Sequence, residues 1–449
     1  MRTILIKNAN TIVSDNNIYH GYSILIEGNK IKKINKDIKL PEQIDRIIDA
    51  KDCIVIPGLI NTHHHLYQTL TRCMTPVLDA KLFDWLMFLY DVWAKISYKS
   101  LYLGSVISLA ELLMSGCTTT SDLFYIFPKD SDVKLEAVIE AASDIGIRIH
   151  AGRGSMSRPR SKGGLPPDSL VQTEDEIIKD CIRVVDKYHD AEPFSMTRID
   201  LAPCSPFSIT EELLKQTKAL ADERNLLCHT HLAETMDEEN FCLQTHCLRP
   251  VMYLNSLGWL DKNVYFAHCV HLNNEEIELL AKTQTGVAHC PTSNMRLGSG
   301  IAPIKEMIEK GVKVGVAVDG SSSNDGGNLL LDVRTALMLQ RVKHGADGLS
   351  VLDAFKLGTT GGAKVLNRDE LGLIEEDKAA DMAIYNLNRV EYSGASVQDA
   401  LGSLILCQPT LAQTVIVNGK IVVDKGQIQT IDLEKIIYQT NEIVAKEFK

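Results

Sequence analysis

Between residues 198 and 318 the chain reads RIDLAPC (198–204), LLCHTHL (226–232), VYFAHCV (264–270), TGVAHC (285–290) and VKVGVAV (312–318). Segments such as EELLKQTKALADERN (211–225) and NEEIELLAKT (274–283) separate these runs. Short, nearly continuous apolar runs suit strands buried on both faces, and their alternation with amphipathic helices predicts a parallel sheet. RIHAGRG (148–154) carries the series further upstream. An α/β alternation sustained over roughly 300 residues points to a closed (β/α)8 barrel of the TIM type.

The two ends of the chain have a different texture. TILIKNANTIV (3–13), YSILIEGNKIKKI (22–34) and IDAKDCIVI (48–56) read as strands, with Gly28-Asn29 as a hairpin turn. The same pattern returns in DMAIYN (381–386) and TVIVNGKIVVDKG (414–426), with Asn418-Gly419 as the turn. Neither end is long enough to bury a core alone. The expectation is one small composite β-sandwich made of residues 1–57 and 366–449, flanking a barrel over residues 58–365.

Composition narrows the function. The 449 residues are 45% hydrophobic and 23% charged, values of a globular protein rather than of a disordered or coiled-coil chain. A net charge of −11 argues against a nucleic-acid partner, which calls for a basic face. The 11 cysteines are scattered, odd in number and without a CxxC pair, as expected of free thiols in a reducing cytoplasm. The N-terminus has no signal-peptide pattern. Leu101–Met114, interrupted by Gly104, Ser105, Ser108 and Glu111, reads as a core helix rather than a membrane span. SRPRSKGGLPPDS (157–169) is a long loop of the kind that serves function or moves.

Chemistry gathers where the strands end, the face on which a barrel collects its catalytic groups. PGLINTHHH (57–65) places His63 and His65 two apart, on one side of an extended chain, with His64 on the other. Two converging imidazoles are half of a zinc site; a surface histidine cluster is the plain alternative. HTHLAE (229–234) repeats the pattern: one of His229 and His231 can supply a third ligand, and Glu234 can transfer protons beside the metal. An HxH of this kind is equally at home as core histidines. His268 closes VYFAH, and Asp319 closes VKVGVAVD, where an Asp before Gly is commonly only a turn residue. Taken together the set offers three imidazoles and a carboxylate with one coordination position left for water, the composition of a catalytic metal site.

In this order the motifs PGLINTHHH, HTHLAE, AHC, HCPTSNMRLGSG (289–300) and AVDGSSSN (317–324) resemble the amidohydrolase superfamily, in its cytosine deaminase, guanine deaminase and chlorohydrolase-like branch. The resemblance covers essentially the whole chain. It implies that His63, His65, His231 and Asp319 are the metal ligands, that Glu234 is the proton shuttle, and that His268 positions hydroxide or substrate, with Glu234, His268 and Asp319 as the catalytic group. His229 becomes a structural neighbour. Binuclear relatives carry a carboxylated lysine on the strand that here reads Arg198–Cys204, which has none, so a single divalent metal is implied, Zn²⁺ first and Fe²⁺ second. Glu376-Asp377-Lys378-Ala379-Ala380-Asp381 has Asp where relatives usually carry Gly, in the sandwich and away from the chemistry.

The activity implied is hydrolytic removal of ammonia from a ring N=C–NH₂ unit by metal-activated hydroxide. Among members of the branch, the similarity of THHHLYQTLTR, LFDWL, RGSMS with GGLPPD, and APCSPFS is to those deaminating 8-oxoguanine to urate. Nucleoside-deaminating relatives usually carry His where Cys204 stands, so Cys204 favours a free base. Gln68 offers a donor and an acceptor to a ring amide, Trp85 a stacking face, Arg153 a cation for a carbonyl edge, and His268 a contact to substrate. Phe83, Trp85, Leu86, Leu89 and Trp93 also have the helical spacing of plain core packing. Alternatives are deamination of guanine, isoxanthopterin or another free base, and loss of chloride or alkylamine from s-triazines. A barrel using zinc only for stability would leave Glu234 and His268 without purpose. The partner implied is a small heterocycle, with neither nucleic acid nor membrane, in a homo-oligomer.

Overall fold

A computed structural model describes residues 2–39 and 41–448. Its centre is an 8-stranded sheet, parallel throughout and bonded in chain order. The strands are β1 (Leu59–Asn61), β2 (Cys117–Phe124), β3 (Arg148–Ser155), β4 (Thr197–Pro203), β5 (Cys228–Leu232), β6 (Val264–His268), β7 (Gly286–His289) and β8 (Lys313–Val316). First and last strands meet where the Thr62 N–H donates to the Val316 carbonyl at 3.2 Å. This is the (β/α)8 barrel that the alternating runs predict. β2, β3 and β6 are buried at every position, β6 through an apolar run and β2 and β3 despite polar residues such as Asp122, His150 and Arg153. Leu101–Met114 lies inside the helix Tyr98–Met114 that covers the barrel wall.

The termini build two further sheets. One holds Thr3–Ala9, Tyr22–Glu27, Lys30–Asn35 and Arg46–Asp49. In the other, Met382–Asn386 pairs antiparallel with Cys53–Pro57, so the C-terminal segment joins the N-terminal one edge to edge. Ile4, Ile24, Ile26, Val55, Met382 and Ile416 share the apolar layer between them. The hairpin signals fall where expected: Gly28 has φ +64°, and Asn418 and Gly419 have φ +50° and +73°, the two left-handed positions of a type I′ turn. Two expectations are corrected. IDAKDCIVI is split by a turn, its start in Arg46–Asp49 of the first sheet and its end in Cys53–Pro57 of the second. TILIKNANTIV is not a single strand: Asn8 takes φ +56°, the register shifts between Ile6 and Ala9, and the chain leaves the first sheet to enter the second as Thr11–Ser14.

Candidate active site

His63, His64 and His65 are all buried, which removes the surface-cluster reading. β1 ends at Asn61, so strand alternation is not what aims them. They lie on the segment that follows, where the Leu123 N–H bonds to the His64 carbonyl and the Asp319 N–H to that of His63. Nε2 of His63 and of His65 still converge, 3.2 and 3.4 Å from Asp319 Oδ1. His65 donates Nδ1–H to the Leu123 carbonyl at 2.8 Å, and His231 donates Nδ1–H to that of Cys204 at 2.6 Å. A carbonyl can only accept, so both protons sit on Nδ1 and both Nε2 atoms carry lone pairs. Those two nitrogens face each other 3.0 Å apart, and the buried Nε2 of His63 has no partner. Lone pairs opposed in this way call for a cation between them. One ligand atom from each of His63, His65, His231 and Asp319 lies within 4.8 Å of the others.

The electrostatics agree with a metal centre. Burial pushes the pKa of His63 down to about 4 and those of His65 and His231 to about 3, so all three are neutral donors at pH 7. Burial acts to raise Asp319, but the neighbouring imidazoles outweigh it and hold its carboxyl well below the usual range. Asp319 is held from three sides: Oδ1 accepts from the Gly320 N–H (2.7 Å), and Oδ2 from the hydroxyls of Ser293 (2.6 Å) and Ser323 (3.1 Å). A Cβ at Gly320 would stand 1.9 Å from Gln68 Oε1 and would have to displace the end of that side chain.

Glu234 and His268 complete the cluster. His268 donates Nδ1–H to Asn294 Oδ1 at 2.9 Å, which turns Nε2 towards Glu234 Oε2 (3.6 Å) and Asp319 Oδ2 (4.0 Å). Burial lifts Glu234 to about 7, with the Asp319 and Glu238 carboxylates adding to it against the pull of His268. Burial disfavours charge on His268 too, yet the facing carboxylates and Asn294 raise its pKa overall. Three non-glycine residues at these corners, Ala233 (φ +53°), His268 (φ +72°) and Asp319 (φ +63°), are left-handed. Such conformations cost on the order of 1–3 kcal/mol each and recur where a side chain must be re-aimed at a functional site.

The sequence matches the amidohydrolase family over residues 54–422. The chain belongs to the amidohydrolase family. It is similar to 8-oxoguanine deaminase of Pseudomonas aeruginosa, 41% identical over 433 residues that cover 96% of each chain. It is also similar to an isoxanthopterin deaminase from an unknown prokaryotic organism, 33% identical over 98% of this chain and 96% of that protein. Among solved structures, atrazine chlorohydrolase of Arthrobacter aurescens TC1 complexed with zinc superposes with a TM-score of 0.94 at 33% identity, covering 98% of this chain and all of that one (100%). The amidohydrolase is a metal-dependent enzyme that hydrolyses C–N bonds, and no helix of its described residues is long and apolar enough to cross a membrane.

A cavity opens on the cluster, with His65, His231, Glu234, His268 and Asp319 on its wall. The amidohydrolase brings Gln68, Trp85 and Cys204 into that wall, as the sequence suggests. Gln68 Oε1 accepts from the Ser322 N–H at 3.3 Å. Trp85 belongs to helix Leu82–Trp93, whose Leu82, Trp85, Leu86 and Tyr90 reach the cavity wall from the same apolar stripe that carries Leu89 and Trp93 into the core, so pocket and packing readings hold together on one face. Cys204 is a neutral thiol, pushed up to about 12 by burial.

Arg153 is a correction. It is not on the cavity wall: its guanidinium bonds Asp180 (2.6 Å), Gln172 (2.9 Å) and the Gly154 carbonyl, and stacks on Phe127 at 3.8 Å. His150, three residues earlier, points into the barrel to Asp200, so alternation along β3 sends Arg153 outward to the helices. Sequence reasoning missed Tyr90, Tyr125, Ser205, Phe207, Leu297 and Ser323 on the wall. Ser205 and Phe207 lie in APCSPFS, Leu297 in HCPTSNMRLGSG and Ser323 in AVDGSSSN, and Tyr90 lies four residues beyond Leu86 on the same helical face; Tyr125 left no signal.

Proposed function

We propose that the enzyme is a hydrolytic deaminase of a flat, oxygenated free base, with 8-oxoguanine as substrate and urate and ammonia as products. The observation that carries this reading is the cavity wall. It has no lysine or arginine among the described residues, and its apolar and aromatic faces enclose a small space directly against Glu234, His268 and Asp319. Such a wall suits an uncharged planar ring better than a phosphate or carboxylate. Trp85 adds chemical detail: its indole N–H is buried without a partner and can only donate, which suits a ring carbonyl. The likeness to 8-oxoguanine deaminase of Pseudomonas aeruginosa supports the same substrate.

A divalent metal held by His63, His65, His231 and Asp319, Zn²⁺ in our reading with Fe²⁺ as the alternative, supplies Lewis-acid activation of the attacking water when bound. The protein supplies the rest. Asp319 takes a proton from the attacking water through its carboxylate and delivers it to the departing amine. Glu234, with a proton available near pH 7, gives it to the ring nitrogen beside the attacked carbon. His268 Nε2, 3.6 Å from Glu234 and 4.0 Å from Asp319, bonds the oxygen that becomes the product carbonyl. Water adds across C=N and the C–NH₂ bond breaks; one of water's two protons leaves with ammonia by way of Asp319, and the other, lost as the hydroxyl becomes the product carbonyl, restores the proton that Glu234 gave to the ring nitrogen. The reading extends to a cytoplasmic homo-oligomer with no nucleic-acid partner, divided at residues 57/58 and 365/366.

The test is ammonia release by metal-loaded protein on 8-oxoguanine, guanine, isoxanthopterin, cytosine and S-adenosylhomocysteine, with chloride and alkylamine release from s-triazines in parallel. Preferred turnover of 8-oxoguanine with an equal yield of urate is expected. Preference for another free base overturns the substrate, and release of chloride or alkylamine alone overturns the deaminase.

A further inference from the structure

Glu238 is fully buried, makes no ion pair among the described residues, and takes no direct part in the cluster above. It stands in the first turn of helix Met236–His246, whose N-cap is Thr235. Thr235-Met236-Asp237-Glu238 has the pattern of a capping box, in which the glutamate returns to the N-cap amide and the threonine oxygen caps the helix. Neither bond forms. Thr235 caps nothing and its hydroxyl has no partner. Glu238 reaches past it: Oε1 accepts from the Ala233 N–H and Oε2 from the Glu234 N–H, each at 2.9 Å.

A buried carboxylate without a counter-cation is expensive unless donors satisfy it. Here both oxygens are spent on two consecutive amides, and those amides frame the left-handed corner at Ala233 (φ +53°). Beyond the corner, the Ala233 carbonyl accepts from the N–H groups of Val270 (2.9 Å) and His271 (3.0 Å), which ties the turn to the segment after His268. Fixing both amides fixes the direction in which the Glu234 side chain leaves the backbone. Its neighbour Glu239 has an ordinary structural task, a salt bridge to Arg249 at 2.5 Å.

We infer that Glu238 is a positioning residue: its carboxylate clamps the amides of Ala233 and Glu234 and so holds the Glu234 carboxyl at proton-transfer distance from the substrate. The inference rests on Glu234 as proton donor in the proposed deamination. Glu238→Gln keeps size and shape but replaces one acceptor by an NH₂ that opposes an N–H. Misplacing a reacting group by about 1 Å costs on the order of 10²-fold in rate.

The experiment is steady-state kinetics on the best substrate of the panel for wild type, Glu238→Gln, Glu238→Asp, Glu234→Gln and the double variant Glu234→Gln/Glu238→Gln, with metal content measured for each. Expected are a fall in kcat of about 10–100-fold in Glu238→Gln, KM within about twofold, and unchanged metal content. Glu238→Asp, which keeps the charge should the amide variant fail to fold, lies between. In the Glu234→Gln background the Glu238 substitution has no further effect on residual turnover, because a residue acting through Glu234 has nothing left to position. Wild-type kcat in Glu238→Gln overturns the inference, as does parallel loss of metal and kcat, or full additivity in the double variant. Full activity of Glu234→Gln overturns the proton-donor reading, and the inference with it. Loss in Glu234→Gln alone overturns only the role of Glu238.

Discussion

His63 Nδ1 and His229 Nε2 lie 2.6 Å apart, so the first histidine of the second HxH motif braces a proposed metal ligand from the first. With Nε2 of His63 turned to Asp319, Nδ1 carries the proton and donates it to His229. His229 is itself held by stacking on Tyr265 (centroids 4.0 Å apart), whose hydroxyl donates to Asp200 at 2.9 Å. A partner of this kind fixes the ring and tautomer of a metal ligand.

His229→Ala therefore weakens metal binding by about 10–100-fold while leaving the barrel folded. Competition against a chelator of known affinity measures it. Wild-type affinity in the variant would show that His63 needs no brace.

Glu234→Gln lowers turnover by about 10²–10⁴-fold, the range of a lost general acid, and keeps its metal because Glu234 is not among the four residues proposed to hold it. Asp319→Asn loses turnover as severely and binds metal more weakly, since the ligand and proton acceptor are the same carboxylate. Metal analysis beside ammonia release separates the two. Equal metal loss in both variants would sink the division of roles.

The sequence carries the fold and the cluster because both depend on residue types at strand ends. Apolar runs between amphipathic helices have few parallel-sheet alternatives, and His63, His65, His231, Glu234, His268 and Asp319 each lie within a few residues of a strand terminus. The cavity wall is another matter. Tyr90 comes from a helix, Tyr125 from the end of β2 and Leu297 from the C-terminal end of helix Pro291–Arg296, and nothing local marks three such apolar or aromatic residues as neighbours. Arg153 shows the opposite failure: its place near a strand end suggested the pocket, whereas the inward direction of His150 on the same strand already sends it outward. Glu238 sat in a recognisable T-x-x-E, but which amides it would satisfy depends on the corner at Ala233, which no sequence pattern displays.

Arg153→Leu should act on stability and leave substrate binding alone. Removing a fully buried guanidinium strands Gln172 and one side of Asp180, which is worth about 1–3 kcal/mol. The expected result is a lower urea midpoint with KM within about twofold of wild type. A KM raised tenfold at unchanged stability would return Arg153 to the substrate.

Metal removal should make the protein acid-labile well above the pH at which its surface carboxylates titrate. Burial lowers His63 to about 4 and His65, His231 and His289 to about 3, and it holds His64 and His229 well below 6.5. An unfolded chain protonates these rings near 6.5. As pH falls through that value the unfolded state takes up protons that the native state refuses, so native stability drops until the folded pKa values are reached. Asp122, Glu234 and Asp332, each raised to about 7 by burial, oppose this by keeping protons in the native state, as do Glu238 and His268, whose pKa values are also raised, but they are fewer than the six imidazoles and the likewise lowered His150, His189 and His246. Urea midpoints of the chelated protein should therefore fall steadily from pH 6.5 to pH 4. The metal-loaded protein should hold its midpoint at the upper end of that range, where protons do not yet displace the metal, and converge on the chelated one at the lower end. A chelated protein whose midpoint stays flat from pH 7 to pH 5 would mean that these histidines are not neutral and buried in the native state.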